Sequence, residues 1–574
     1  MASTSKPLTY ESLPQVTKLK LHQSISVSFK AGQVDKYVFP LKAGQFASIK
    51  LLQQSVGLGY FVYTPDKKLI QNNDLNAVHQ SEIITIDAEE SGDYRIEVFW
   101  DYGRPQFGNY SIVWDKLEKT GSHPAAKATQ LMAAWYKADE PGAAVAVVQN
   151  GKVIFKSTRG LANMEYQIPI THISAFDLAS CSKQITGYAI AMLIDQGRIS
   201  LDDDIRKYLP EVPEFGKKIL LRHLVYHTSG LLNWDEAAFS MGYPGEDIVT
   251  IDMILRMVAS QRRLSFNPGD AFAYCNTNYN LLAKVVEKVT GSKFANWTKD
   301  NLFTPLGMNN TYVQDDIHKV IPQKVSSYKA GKEGFNLYPN TFSAIGSTSV
   351  NASIDDLVLW VNNIEAGKVG GKHVLDILNV SGTLNNGEKL PGGFGNFSGR
   401  HKGVKKIEHL GLVLGFRAAI TRYPEQNLAV IYLSNDGNDA TYSRSWQLAD
   451  LFLKNLKSEP LAAKPFPDLN EMLERTKPII PEKMGQDLKE LEGIYYSEDL
   501  NVIYKIKFAD GFLILDLPRI ENKYLKRENP DSFSINLQNS RRQLDFQRDS
   551  RKTITGFMLT GGGSRIQFAK LTQS

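Results

Sequence analysis

The sequence predicts a multidomain chain in which a mixed α/β domain is flanked by an N-terminal β-sandwich and a C-terminal β-barrel. Three observations predict it. Short strand patterns with regular turns fill residues 23–114 and return over 493–569, helical periodicity is confined to the stretch between them, and polar segments bearing proline or glycine fall at both junctions. The expected divisions are a sandwich over 8–118, the mixed domain over 123–457, a Pro-rich linker over 458–483 and a barrel over 484–574.

In the first part the strand patterns are Ser24 to Phe29, Lys36 to Phe39, Phe46 to Leu51, Tyr60 to Tyr63, Ile83 to Ile86, Tyr94 to Phe99 and Tyr110 to Trp114, with turns at Ala31-Gly32, Ala43-Gly44 and Pro65-Asp66. Gly92-Asp93-Tyr94-Arg95-Ile96 and Gly108-Asn109-Tyr110-Ser111-Ile112 echo each other. Their aromatic residues are expected in the core. Glu118 to Lys127, with Gly121 and Pro124, reads as a linker. The mixed domain opens with Ala143 to Val148 and Lys152 to Lys156 around Asn150-Gly151, a hairpin pattern. After Pro460, Pro465, Pro467, Pro478 and Pro481, which surround one short helical pattern, strands alternate again from Gly493 to Ala569 with Asp510-Gly511 and Gly561-Gly562-Gly563 as turns. A small barrel closes such a run naturally.

Composition narrows the function classes. With 42% apolar and 22% charged residues the chain is an ordinary folded protein, and a net charge of +5 with no basic block gives no case for nucleic acid. No apolar run approaches the roughly 18 residues of a membrane span. The stretch Met1 to Pro7 lacks the apolar core of a secretory signal. Export with the signal absent from this chain is the expectation, with the cytoplasm as the alternative. Two cysteines, Cys181 and Cys275, exclude a disulfide-rich scaffold and are expected to be small buried thiols, a redox-sensitive pair being the alternative.

The chemistry-bearing stretch is Phe176-Asp177-Leu178-Ala179-Ser180-Cys181-Ser182-Lys183. Ile185, Ala189 and Leu193 recur at helical spacing and Gly197 ends the run, so a helix is predicted from Ser180 to Gln196. Residues three apart share a helix face, which brings the Lys183 amine to the Ser180 hydroxyl. A lysine serves as base only if its pKa is depressed. The spacing alone is weak, because Ser3/Lys6 and Ser326/Lys329 repeat it.

Company separates them. Phe266-Asn267-Pro268-Gly269 precedes Tyr274-Cys275-Asn276, which leads into a helical run from Leu281 to Thr290, so Tyr274 and Asn276 are expected to project from a loop into a cleft. Tyr338-Pro339-Asn340 is the chance counterpart. His409-Leu410-Gly411-Leu412 enters an apolar strand where glycine permits close approach and a strand edge offers an amide to an oxyanion. His401-Lys402-Gly403 is its counterpart in a polar stretch. His223 and His227, four apart but without a third ligand, read as structural, and Asp202-Asp203-Asp204 reads as a helix cap. No metal and no cofactor are expected.

In order, Ser180-Cys181-Ser182-Lys183, His227-Thr228-Ser229-Gly230-Leu231, Tyr274-Cys275-Asn276, Gly346-Ser347-Thr348 before Asp356-Leu357, and His409-Leu410-Gly411 resemble the penicillin-recognising serine hydrolases of the class C β-lactamase-like group, which holds D-stereospecific peptidases, esterases and β-lactamases. The resemblance covers residues 123–457. It implies an antiparallel sheet with helices on both faces plus a helical subdomain. It also implies Ser180 as acylated nucleophile, Lys183 and Tyr274 sharing proton transfer, Asn276 on the substrate, the amides of Ser180 and Leu412 as oxyanion hole, and His409 and Gly411 lining the opposite wall. The roughly ninety residues from Gln23 to Trp114 resemble the small jelly-roll modules called pre-peptidase C-terminal domains, which implies a β-sandwich of jelly-roll type, and the barrel resembles the lipocalin-like domain of some peptidase members. Two departures stand out. Cys275 occupies a position where serine is frequent, and His409 stands where the β-lactamases carry lysine, so a fixed cation is absent. The expected function is a D-stereospecific peptidase or amidase of small molecules or short peptides. The alternatives are a carboxylesterase with weak β-lactamase activity and a catalytically idle cell-wall sensor. Oligomeric state is not legible.

Overall fold

The structure, a computed structural model, describes residues 16–30, 33–74, 81–100, 107–243, 245–456, 485–537 and 540–571. The Ala31-Gly32 turn, the Ser3/Lys6 pair and the Pro-rich linker and short helical pattern expected over 458–483 lie outside the described residues. No helix among those described is long and apolar enough to cross a membrane.

Residues 17–119 form two facing sheets of five and four strands around one core that includes Val27, Phe39, Ile49, Tyr94, Ile96, Tyr110 and Ile112. Alternation produces this. Ser24–Lys30 buries Ile25, Val27 and Phe29 and exposes the residues between them. The echoing tyrosines, Tyr94 and Tyr110, are both buried in that core. The linker expected from Glu118 to Lys127 is much shorter. The strand Phe107–Lys119 runs to Lys119, and the helix Pro124–Trp135 starts after an N-cap at His123. Gln130 accepts from the Gly121 amide at 2.7 Å and donates to the Lys119 carbonyl at 2.8 Å, while Lys127 pairs with Asp87 at 2.5 Å. These contacts pin the sandwich to the helix.

The central domain is built on a seven-stranded sheet in the order Lys152–Arg159, Ala143–Gln149, Leu428–Ser434, Phe416–Tyr423, Val404–Val413, Asn396–His401, Gly392–Gly393, with every pair antiparallel. Ala144, Ala146 and Val148 face one core, whereas Ala143, Val145 and Val147 face a second core with the helices Pro124–Trp135 and Thr441–Phe452. A strand covered on both faces has to read as a continuous apolar run, as this one does. On the first face lies the helix Ser182–Asp195, buried from Ser182 to Leu193. Its polar residues are satisfied internally: Thr186 donates to the Gly346 carbonyl at 2.8 Å, and Gln184 accepts from the Trp360 indole at 3.2 Å. Gly187 is required because a Cβ there would stand 2.1 Å from the Phe394 carbonyl oxygen.

Residues 493–571 form a nine-stranded antiparallel sheet, nearly closed, whose two ends are the strands Ile520–Tyr524 and Lys526–Asn529. These two strands are not foreshadowed by apolar alternation. The barrel rests on the helix Trp234–Ser240 of the central domain. Leu232, Ala237 and Phe239 belong to the barrel's own core. Ser564 donates to Glu236 at 2.5 Å, Arg542 lies 3.6 Å from the same carboxylate, and the Tyr504 hydroxyl donates to the Ser240 carbonyl at 2.7 Å.

Behind the sheet, Arg444 and Asp439 form a buried ion pair joined by Tyr136, which donates to Asp439 at 2.6 Å and shares a hydrogen bond of 2.6 Å with Tyr432. Removing the cation strands a buried carboxylate. Arg444→Ala is therefore expected to cost about 3–5 kcal/mol of stability, read as a lowered denaturant midpoint of the central domain, whereas Lys137→Ala in an exposed pair is expected to cost less than about 1 kcal/mol.

Candidate active site

Ser180 sits two residues ahead of the helix expected to contain it. The α-helix begins at Ser182, and Ala179–Cys181 form a 3-10 turn in which Ala179 has φ 48°. A left-handed alanine costs roughly 1 kcal/mol and needs outside support. Asp177 provides it by accepting the Ala179 amide at 2.7 Å, and its other oxygen accepts from Asn340 at 2.7 Å. Burial pushes the Asp177 carboxyl up, opposed by these hydrogen bonds.

Lys183, the second residue of the helix, is fully buried, and its amine donates to Asn276 Oδ1 at 2.7 Å, to the Ser347 carbonyl at 2.8 Å and to Ser180 Oγ at 3.1 Å. Burial pulls its pKa down to about 7, with the charge of Asp235 opposing. The geometry then has a definite consequence. A neutral amine has two hydrogens and one lone pair. The two fixed acceptor oxygens take both hydrogens, so the lone pair faces the Ser180 hydroxyl.

Tyr274 packs its ring 5.0 Å from Lys183 Nζ and stacks on His227 at 4.6 Å. Burial raises its hydroxyl well above the ordinary phenol range, opposed by a hydrogen-bond interaction with Ser180. It is therefore held protonated. Asn276 lies on the first residue of the helix Asn276–Thr290, where a loop position was expected. Its amide is fixed by Asn233 Oδ1 at 2.8 Å, and its Nδ2 reaches Asp235 at 3.4 Å. Cys275 turns away, toward the carbonyls of Leu231 and Leu232 at 3.6 and 3.7 Å, and Cys181 donates to the His409 carbonyl at 3.1 Å. Both thiols are free and buried.

The strand Val404–Val413 closes the other side. Its outer neighbour pairs only with Val404 to Glu408, so His409 to Val413 form an edge without a strand partner among the described residues. Gly411 is what lets this edge approach. A Cβ there would stand 2.4 Å from the Leu178 carbonyl oxygen and 3.2 Å from the Ser180 nitrogen. Leu412 is 58% exposed at this edge. His409 Nδ1 hydrogen-bonds the Leu410 carbonyl at 2.7 Å, which makes it the donor, and burial first and Lys183 second pull its pKa down to about 3. It is a neutral wall residue with Phe397, whose ring lies 5.3 Å away.

His227 accepts the Cys275 amide on Nδ1 at 3.1 Å, and His223 accepts the Leu220 amide at 3.1 Å, so each spends a ring nitrogen on the backbone. The chance counterparts sit elsewhere: Lys329 pairs with Glu246 at 2.9 Å and His401 with Asp450 at 2.6 Å. The sequence reading missed three contributors. The Ser347 carbonyl is aimed by Asn280, which donates to Ala344, Ile345 and Ser347. Tyr279 donates to the Val225 carbonyl and accepts the Gly395 amide. Asp235 is the third. Only Gly346-Ser347 had a sequence signal. A separate cavity of about 690 Å³ on the far side of the nucleophile helix, bordered by Gln184, Trp360 and Arg422, is not lined by Ser180 or Tyr274.

A profile of the family described as Beta-lactamase matches residues 124–453. The chain is similar to a D-aminopeptidase of Gluconobacter oxydans (strain 621H), 28% identical over 310 residues covering 54% of this chain and 58% of that protein. It is also similar to penicillin-binding protein 4* of Bacillus subtilis (strain 168), 28% identical over 327 residues covering 52% of this chain and 69% of that one. The chain thus spans little more than half the length of the first relative. Among solved structures it is similar in fold to the octameric penicillin-binding protein homologue from Pyrococcus abyssi, with TM-score 0.50, 22% identity, and coverage of 77% of this chain and 98% of that one.

The Gly411 approach yields a test. Gly411→Ala is expected to push the edge strand off Ser180 and lower kcat/KM by about 10²-fold through misplacement. The expected stability cost is only about 1–3 kcal/mol, checked by paired kinetics and thermal melts.

Proposed function

The chain belongs to the Beta-lactamase family, whose profile covers more than half of it, and from that premise we propose that it is a serine hydrolase working through an acyl-enzyme on small peptides and amides with D-residues, esters being the easier substrates. The observation that carries this reading is the Lys183 amine, depressed to about 7 and held by two oxygens with its remaining position on Ser180.

In the proposed reaction Ser180 Oγ attacks the substrate carbonyl while its proton passes to Lys183. The carbonyl oxygen, now negative, is received by the amides of Ser180 and Leu412 at the unpaired strand edge. As the tetrahedral intermediate collapses, the bond to the leaving amine or alcohol breaks, and the leaving group takes a proton from the Lys183–Tyr274 pair. Water then hydrolyses the Ser180 ester with the same pair accepting and returning its proton. Burial holds Tyr274 protonated, so it is assigned a relay role in which it passes its proton to the leaving group as it regains the one taken up by Lys183, and no phenolate is left behind. Asn276 both orients Lys183 and faces substrate. His409, neutral with a pKa of about 3, gives no cation for a substrate carboxylate. That favours an aminopeptidase or amidase over a β-lactamase or carboxypeptidase, and D-specificity is taken from the similarity to D-aminopeptidases.

The flanking regions extend the reading. We assign the N-terminal sandwich to the jelly-roll type. The divisions at 8–118, 123–457, 458–483 and 484–574 are kept as proposed, as is export of the protein.

A fluorophosphonate is expected to label Ser180, and Ser180→Ala to lose labelling and at least about 10⁴-fold in kcat. Lys183→Met is expected to lose about 10²–10⁴-fold. Comparing a D-aminoacyl amide with its L form and with a short aryl ester decides substrate class. Ester turnover without D-amide turnover would leave an esterase, and absence of both labelling and turnover would leave a binding protein.

A further inference from the structure

Arg422 stands where a core residue is expected. Alternation along the strand Phe416–Tyr423 turns Ala418, Ile420 and Arg422 to one face, and the first two are packed in the main core. Arg422 itself is only 7% exposed. Its Nη1 donates to Glu365 at 2.8 Å, a carboxylate whose own side chain is 44% exposed, and its Nε is buried with no partner. A guanidinium carries five donors in one plane, so a single half-solvated acceptor leaves most of the fork unused. Desolvation pulls its pKa down, opposed by Glu365. A buried cation partnered this thinly is costly unless something else completes it.

Arg422 borders the cavity of about 690 Å³ that lies between the sheet and the helices Ser182–Asp195, Ile354–Ala366 and Gly371–Leu378. That volume is in the range of small-molecule sites. Trp360, Ile364, Leu375 and Ile407 give it apolar walls. The other buried polar groups on those walls are spent on one another. The Trp360 indole donates to Gln184 at 3.2 Å, Gln184 donates to Asn396 Oδ1 at 3.2 Å, and the Tyr188 hydroxyl donates to the Val369 carbonyl at 2.5 Å while accepting from Asn363 at 3.0 Å. Arg422 is the exception. The balance of charge is also positive: Lys372 and Lys405 are exposed at the rim and form no ion pair among the described residues, whereas of the two lining carboxylates, Glu365 and Asp376, the first is taken up by Arg422. An apolar chamber with one under-partnered cation on its wall suits an organic anion. A carboxylate is flat and matches the guanidinium fork, and an inorganic anion would leave the apolar walls uncovered.

We propose that this cavity is a second ligand site, separate from the Ser180 cleft, which takes a small monocarboxylate with an apolar body, the carboxylate on Arg422 and the body against Trp360 and Leu375. Its occupant borders Gln184, the residue after Lys183, and Asn396, the residue before Phe397 on the wall of the cleft. The inference is independent of the acyl-transfer reading, and its test reads binding alone. Calorimetry on the unmodified full chain compares 3-phenylpropanoate with 3-phenylpropan-1-ol, which share the apolar body and differ in the charged end. The acid is expected to bind about 10- to 100-fold more tightly than the alcohol, and the preference to vanish in Arg422→Met. A second variant guards against misfolding at the buried arginine. Ser398→Trp, at an exposed position on the strand that borders the cavity, fills the chamber with Arg422 in place and is expected to weaken acid binding by about 10-fold or more. Melting curves show which variants are folded, and if Arg422→Met is not, Ser398→Trp decides. No binding of the acid, equal binding of acid and alcohol, or an acid preference that survives in either folded variant overturns the proposal, the last by placing the acid elsewhere, the Ser180 cleft included.

Discussion

Burial of one lysine is the constraint on which the site depends. An ammonium group taken out of water without a partner carboxylate is expensive, and the protein responds by lowering its pKa to about 7. Two carbonyl-type oxygens, Asn276 Oδ1 and the Ser347 carbonyl, then fix how the neutral amine is turned. Their placement comes from different parts of the chain. Asn276 is fixed by Asn233, and the Ser347 turn by Asn280. Much of the buried polar network around Ser180 exists to aim one lone pair.

The same demand for close approach explains the glycines that matter. Gly187 and Gly395 let the segment at Phe394 press on the nucleophile helix: a Cβ at Gly395 would stand 2.3 Å from the Lys183 backbone. Gly346, with φ 91°, lets the Ser347 turn sit against the Tyr279 carbonyl. These contacts exclude water from Lys183, and the exclusion depresses its pKa. Packing and chemistry are one argument here.

The sequence made some of this legible and some not. Ser180, Lys183, Tyr274 and Asn276 stood out because short motifs fell beside helix starts, and the structure brings these residues together while Lys329 and His401 pair with carboxylates elsewhere. The expected start of the nucleophile helix was two residues early, since helical periodicity carries no trace of the left-handed Ala179 or of the Asp177 bond that supports it. Ile520–Tyr524 and Lys526–Asn529 escaped notice because strands at the ends of a sheet are specified by pairing more than by apolar alternation. Asp235 had no signal. An Asp-Glu pair after a tryptophan means nothing until folding sets its first member next to Asn276.

The barrel emerges as part of the site's architecture, because the helix it holds carries Asp235 on the other side. All of this presumes that Lys183 is neutral when it works. The most direct measurement is an NMR titration of protein labelled at the lysine ε-carbon, with Lys183→Met used to assign the resonance. The account predicts that Lys183 loses its proton with a midpoint near 7, so that the base form grows as pH rises through neutrality. A Lys183 resonance that titrates with the exposed lysines near about 10.4 would contradict it.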